Sequence, residues 1–228
     1  MDLARIYEYR FADVRPGDRS RVWNAIAQFL HERYGRPNAV LDPAAGLGEF
    51  LSACPATERW GVDLLDHGLT AIPGITAVIS PIMEAELPEG HFDLVFASNL
   101  LEHFGSGEEI AAFLARMSVL LRPGGRMVVM GPNFRYCARD YFDCADHNIA
   151  LTHTAVAEHL YGAGFEVDEV VPRFLPYSFR SRLPASEALV RAYLSTPLAW
   201  KVLGKQFLVA GRVPKFEPAS SISVASLR

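Results

Sequence analysis

The sequence predicts an α/β fold: a doubly wound, mainly parallel sheet with helices on both faces. Three observations predict it. Short apolar runs alternate with stretches of helical periodicity along most of the chain. The first such run, "AVLD" at 39–42, ends on an acid and turns through Gly46 and Gly48 into the next apolar stretch, as strands do where they enter a helix beside a ligand. Half of the 228 residues are hydrophobic, enough to cover both faces of one sheet.

Each element has its own signal. Val22, Ile26, Phe29, Leu30 and Tyr34 fall at helical spacing, so an N-terminal helix is expected over 19–35, with Ser20 as N-cap and Gly35 and Pro37 as the stop. "NAVLD" is a strand, "EFLSAC" opens a helix, and "RWGVDLL", "ITAVIS", "HFDLVFASNLL" and "GGRMVVMGPN" are four further strands. A helix from Glu108 to Leu121 separates the last two, with "RPGG" closing it. Thr152 caps a helix in "HTAVAEHLYGAG". "FEVDEVVPRFL" is a sixth strand with Glu166, Asp168 and Glu169 on its wet side, residues 176–205 form a helical insertion, and "QFLVAGRV" is a seventh strand. One domain over 1–213 is expected, followed by a small, serine-rich disordered tail at 214–228.

The composition narrows the function. A formal net charge of −4 speaks against the basic face of a nucleic-acid binder. Three widely spaced cysteines, Cys54, Cys137 and Cys144, do not make a disulfide framework and suit a reducing cytoplasm. The segment "MDLARIYEYRF" is too charged for a signal peptide. No run of about 18 apolar residues occurs, so stable membrane insertion is not expected. A small-molecule partner is expected, and a homodimer stays open.

Two glycines at a strand-to-helix turn let a ligand approach the backbone. A dinucleotide would place a pyrophosphate there, but Leu51 occupies the third position of that glycine pattern and Asp42 ends the strand. An anion beside a pyrophosphate is costly, whereas an anion beside an ammonium group is favourable. An acid followed by small residues therefore suits S-adenosylmethionine better. Asp63 ends the second strand, where a carboxylate accepts from both hydroxyls of a ribose. That feature serves either cofactor.

The ordered set "VLDPAAGLGEF", "GVDLL", "FDLVFASNLLEHF" and "LLRPGGRMVVMGPN" resembles the class I S-adenosylmethionine-dependent methyltransferases. The resemblance covers 39–132 by motif and reaches about residue 212 by element order. It implies a Rossmann-like, seven-stranded sheet with the last strand antiparallel. The stretches "PNFRYCARDYFDCADH" and "FLPYSFRSRLPASEALVRAYL" are similar to a bacterial branch of that family met near sugar and polysaccharide genes. Mapped onto this chain, the resemblance implies cofactor contacts from Asp42, Ala44, Gly46, Gly48 and Glu49, from Asp63 and Leu64 at the nucleoside, and from Ser98 and Asn99 after the fourth strand. Ala44 replaces the first glycine of the pattern. Ile82 and Met83 stand where an acid commonly meets the adenine amine, so apolar packing holds the base there and Glu84 is a displaced acid. Tyr7, Tyr9 and Phe11 lie where the family often folds a lid.

Methyl transfer from a sulfonium needs alignment above all. A hydroxyl acceptor also gains from a general base. His147, in the loop after the fifth strand, is one candidate, with Asp143 and Asp146 placed to orient it. His103, after the fourth strand, is the other. Packing or capping roles for either histidine stay open. The spacing of Asp143, Asp146, His147 and His153 matches no metal signature, so no metal is expected. Arg135, Tyr136, Arg139 and Tyr141, with Arg173, Tyr177, Arg180 and Arg182, interleave cations and aromatics suited to an anionic or sugar-like acceptor. "SNLLEHF" lacks the pattern of nucleobase-amine methyltransferases. The expected activity is methyl transfer to a hydroxyl of a sugar or other biosynthetic intermediate. An NAD(P)-dependent oxidoreductase and a non-catalytic cofactor-binding relative are the competing classes.

Overall fold

The computed structural model describes residues 5, 6, 9, 17–177 and 186–215. Its elements run α1 (Asp18–Arg33), β1 (Ala39–Asp42), α2 (Glu49–Ala53), β2 (Glu58–Asp63), β3 (Thr76–Ile79), β4 (Phe92–Ser98), α3 (Gly107–Leu120), β5 (Leu121–Pro132), α4 (Phe134–Cys137), α5 (His153–Gly162), β6 (Glu166–Val171), α6 (Glu187–Leu194), α7 (Pro197–Leu203) and β7 (Gln206–Arg212). The strands form one sheet in the order β3-β2-β1-β4-β5-β7-β6. Pairing is parallel from β3 through β5, and β7 runs antiparallel to both neighbours. This is the seven-stranded arrangement that the sequence implied.

Strand alternation builds two cores. Leu94 and Phe96 of β4 face one side with Val128, Met130 and Leu208. Val95 and Ala97 face the other with Val129 and Val209. The first side is covered by α1, α2 and the α6–α7 insertion, the second by α3 and α5. In α1, Trp23, Ile26, Ala27 and Leu30 recur at helical spacing and are buried. Trp23 meets Phe50 and Phe96 edge-on at 6.3 and 6.5 Å, which seats α1 against the helix leaving β1.

Several local expectations are corrected. The first helix begins at Asp18 after Gly17, whose φ of 87° makes the entry turn, and Ser20 is not the cap. Its other end follows the prediction, with Gly35 in the left-handed region at φ 81°. Helix α3 ends at Leu120, and the residue that terminates it, Leu121, is already extended. "RPGG" belongs to the entry of β5, where the Gly124 N–H donates to the Val213 carbonyl at 2.9 Å. Glu169 is not on a wet face: Arg33 Nε and the Tyr34 hydroxyl each donate to it at 2.9 Å. A register shift between Val167 and Glu169 permits this. Asp168 does face outward, bridging Arg126 and Arg212 at 2.7 and 2.6 Å. The Thr152 cap is present, its hydroxyl accepting from the Ala155 N–H at 3.2 Å. Tyr7, Phe11, Arg180, Arg182 and residues 216–228 of the tail lie outside the described residues. Tyr9 is helical and exposed.

Gly204 joins the insertion to β7. Its N–H donates to the Trp200 carbonyl at 2.8 Å, and its own carbonyl accepts from Arg173 Nε at 2.7 Å. A Cβ there would stand 2.6 Å from the Trp200 oxygen and 2.6 Å from the Arg173 carbonyl carbon, atoms of backbone that cannot swing aside. Gly204→Ala is expected to cost about 1–3 kcal/mol in urea unfolding; an unchanged midpoint would contradict this packing.

Candidate active site

The parallel ladder sets the ends of β1 and β2 side by side, with Asp42 opposite Gly61. Asp42 and Asp63 thus reach the same carboxyl edge of the sheet, where ligands bind in open α/β folds. Between them the chain makes a tight turn. The Ala45 N–H donates to the Val62 carbonyl at 2.9 Å, and the Gly48 N–H to the Ala45 carbonyl at 2.8 Å. Asp63 shapes the same turn: one carboxylate oxygen accepts from the Gly46 N–H at 2.7 Å, the other from the Leu65 N–H at 3.1 Å. Each oxygen keeps a second lone pair for a ligand.

Both turn glycines are required by geometry. Gly46 and Gly48 sit at φ 53° and 68°. A Cβ on Gly48 would collide with Leu69 and Ile72 at 2.8 and 2.6 Å, whereas a Cβ on Gly46 would meet open space. The turn is closed toward the core and open outward, a cradle for a ligand.

Asp42 is 5% exposed, and its carboxylate accepts one bond, from the Ala44 N–H at 3.1 Å. Desolvation pushes its pKa up to about 7; the Ala44 bond opposes the rise and the nearby Asp63 charge adds to it. A desolvated acid beside a second acid gains most from a cation. This donor set fits the α-ammonium of S-adenosylmethionine and opposes a pyrophosphate.

Leu64, Leu65 and Met83 are 56%, 40% and 44% exposed along this edge. Apolar side chains bared beside the Asp63 carboxylate suit a flat aromatic base. Across the edge, Asn99 holds a left-handed φ of 49° after β4. Its side-chain amide donates to Ser98 Oγ at 3.0 Å, and its N–H donates to the Met130 carbonyl at 2.8 Å. Such strain at the end of a central strand is typical of functional turns. Glu49 departs from expectation. Arg19 Nε grips its carboxylate at 2.8 and 3.1 Å, and Arg19 Nη2 at 2.5 Å, so Glu49 ties α1 over the turn.

The two candidate histidines come together. Their ring centroids are 5.1 Å apart, and His147 also abuts Tyr141 at 4.9 Å. Asp146 serves His103 more directly than His147: His103 Nδ1 lies 2.8 Å from the Asp146 carbonyl oxygen and 3.5 Å from its carboxylate. Tyr141 is fully buried; its hydroxyl donates to the Ile149 carbonyl at 2.8 Å and accepts from the Leu151 N–H at 3.2 Å. It shapes the loop and leaves no free hydroxyl. Tyr136 stacks on His153 at 6.4 Å with Arg173 over its ring at 4.9 Å. Arg135 is exposed, and the Tyr177 hydroxyl lies 3.7 Å from Cys144 Sγ.

Two residues escaped the sequence reading. Glu102 is 2% exposed beside the histidines, and its main-chain carbonyl accepts from the Asn148 and Ile149 N–H groups at 2.8 and 3.3 Å. An acid inside the apolar exit "NLLEHF" was its signal. Asn133 is fully buried; its amide donates to His153 Nδ1 at 2.9 Å and to the Pro172 carbonyl at 2.7 Å, locking the loop after β5. A buried histidine so held has its pKa lowered, by desolvation first and by Arg135 second.

The sheet order, the glycine turn and the acids ending β1 and β2 define a class I methyltransferase-type fold. Comparison with known proteins agrees. Residues 41–129 match the family model of the methyltransferase domain. A solved S-adenosylmethionine-dependent methyltransferase from Archaeoglobus fulgidus superposes with a TM-score of 0.65 at 18% identity, covering 92% of this chain and 100% of that one. The N-methyltransferase NodS of Bradyrhizobium japonicum, solved with S-adenosyl-L-homocysteine, gives 0.60 at 18% identity over 91% and 92%. The nonribosomal peptide synthetase CymA of Salinispora arenicola is 27% identical over 158 residues, 63% of this chain. The chain spans only 2% of that relative's length. In its matched segment and its fold, the chain is similar to the class I S-adenosylmethionine-dependent methyltransferases.

Asp63→Ala removes the acceptors of two turn N–H groups. It is expected to destabilise the fold by about 1–3 kcal/mol and to abolish S-adenosyl-L-homocysteine binding in calorimetry. Near-normal affinity would remove Asp63 from the site.

Proposed function

We propose that the chain transfers the methyl group of S-adenosylmethionine to a hydroxyl of a small polar acceptor, a sugar or another biosynthetic intermediate. The observation that carries this is the desolvated Asp42 beside Asp63 at a glycine turn, a site built to gain from a cation. When bound, the cofactor supplies an electrophilic methyl group and leaves as a neutral thioether. Asp42 would hold its ammonium group, with Ala44, Gly46 and Gly48 letting the backbone approach. Asp63 would accept from the ribose hydroxyls, and Leu64 and Met83 would cover the adenine. Ser98 and Asn99 would contact the amino-acid end.

On the acceptor side, His103 and His147 form the catalytic pair that activates the hydroxyl. Arg135, Tyr136 and Tyr177 would border the acceptor, and Tyr141 would hold their loop. Arginines beside aromatic rings favour an anionic or sugar-like molecule. Similarity to a peptide synthetase segment suits the tailoring of a biosynthetic intermediate. Against a dinucleotide-dependent oxidoreductase stands Asp42, which would face the pyrophosphate.

Cofactor affinity should depend on pH with a definite sign. Free Asp42 is protonated below about 7, and only its carboxylate pairs with an ammonium. Binding should therefore expel a proton at pH 6 and weaken by about tenfold from pH 8 to pH 6. Above pH 7 it should level off, and Asp42→Asn should erase the dependence. Calorimetry with S-adenosyl-L-homocysteine checks this; a flat profile in the unmodified protein would refute the role of Asp42. The same shift makes the ligand-free fold lose stability as pH rises from about 3.8 to about 7, because charge then appears where water is excluded.

His147→Ala should lower kcat by about 10²-fold or more and leave cofactor affinity unchanged. Product mass spectrometry over a sugar and phenol panel supplies the assay. Unchanged turnover would return His147 to a packing role.

A further inference from the structure

Two loops bring metal-binding side chain types to one point above β4 and β5. Glu102 and His103 come from the turn after β4. Cys144, Asp146 and His147 come from the loop after β5. The loops are fastened together: the Asn148 and Ile149 N–H groups donate to the Glu102 carbonyl, and the Asn148 side-chain amide donates to the His103 carbonyl at 2.8 Å. One carboxylate oxygen of Glu102, one ring nitrogen of His103 and one of His147 lie within 4.8 Å of one another. Zinc ligands stand about 2.0–2.2 Å from the ion, so two ligands of one ion are at most about 4.4 Å apart, close to the spacing of this set.

Two further features suit an ion. The Asp146 carbonyl can only accept, so its 2.8 Å contact assigns the proton of His103 to Nδ1 and leaves Nε2 a lone pair. Metal-ligating histidines are oriented by such a bond. Glu102, at 2% exposure, is an acid in a place where carboxylates favour a cation close by. Two imidazoles and one carboxylate form the three-ligand set of an open catalytic zinc centre. Cys144 Sγ is turned to the Tyr177 hydroxyl.

We propose that Glu102, His103 and His147 hold a divalent cation of the zinc class on the acceptor side of the site. A hydroxyl bound to that ion would release its proton to water more readily. The two histidines then activate the acceptor as ligands of the ion. This catalytic use rests on the methyltransferase function; the binding of the ion does not.

The test uses the full chain, stripped with a chelator and titrated with Zn²⁺ by calorimetry. Glu102→Gln and His147→Ala, with folding verified by circular dichroism, are compared with the distant control His159→Ala. The expected result is one ion per chain in the unmodified protein and the control, with affinity lowered by about tenfold or more in the other two. X-ray absorption on the zinc-loaded unmodified protein should show two imidazoles and no sulfur, and it needs no variant to fold. Absence of saturable binding, a sulfur ligand, or undiminished affinity in either variant overturns the proposal. S-adenosyl-L-homocysteine binding to the same stripped protein separates the two claims. Cofactor binding without zinc binding sinks the ion alone, and zinc binding without cofactor binding sinks the methyltransferase function.

Discussion

The structure depends on a carboxylate kept from water. Asp42 ends a buried central strand, and burial together with the Asp63 charge makes its ionised form costly. A fold carries that cost where a ligand relieves it. Asp63 has a second duty, because its two oxygens organise the N–H groups of the turn. The geometry of the turn therefore rests on the acid that ends the neighbouring strand.

The surroundings hold this edge rigid. Pairing of β1 with β2 and β4 fixes the acids relative to the strained Ser98–Asn99 turn. Trp23 wedges α1 against Phe50 and Phe96, and Arg19 clasps Glu49. A charged cluster of Arg33, Tyr34, Arg126, Asp168 and Glu169 joins the far end of α1 to the β6 edge. Around the two histidines, rigidity comes from hydrogen bonds between two loops and from Asn133 locked onto His153 and Pro172.

The strands were legible because apolar runs, turn glycines and strand-end acids are local signals, and their arrangement in the sheet followed from the family resemblance. The helix ends were less so. Gly17 makes the entry turn of α1 through backbone freedom, and Ser20 only looked like a cap. Glu169 sits beside a register shift that no alternation rule anticipates. At the site, Asp42, Gly46, Gly48 and Asp63 could be placed from sequence because one turn holds them. Glu49 could not, since its partner Arg19 is thirty residues away. Tyr141 looked like a ligand contact and proves to be buried loop framework. Glu102 was overlooked because its relation to His147 exists only after β4 and β5 pair and their loops close.

The two halves of the site thus differ in how they are built. One half gathers the ends of neighbouring strands around a single glycine turn, the other is an assembly of distant loops. The glycine-turn half is the foundation, and the proposal for it turns on Asp42. Its carboxyl carbon can be followed directly by NMR against pH, with and without S-adenosyl-L-homocysteine. The account predicts a midpoint at about 7 in the free protein and a marked fall when ligand binds. A midpoint in the ordinary aspartate range, or one indifferent to the ligand, would contradict it.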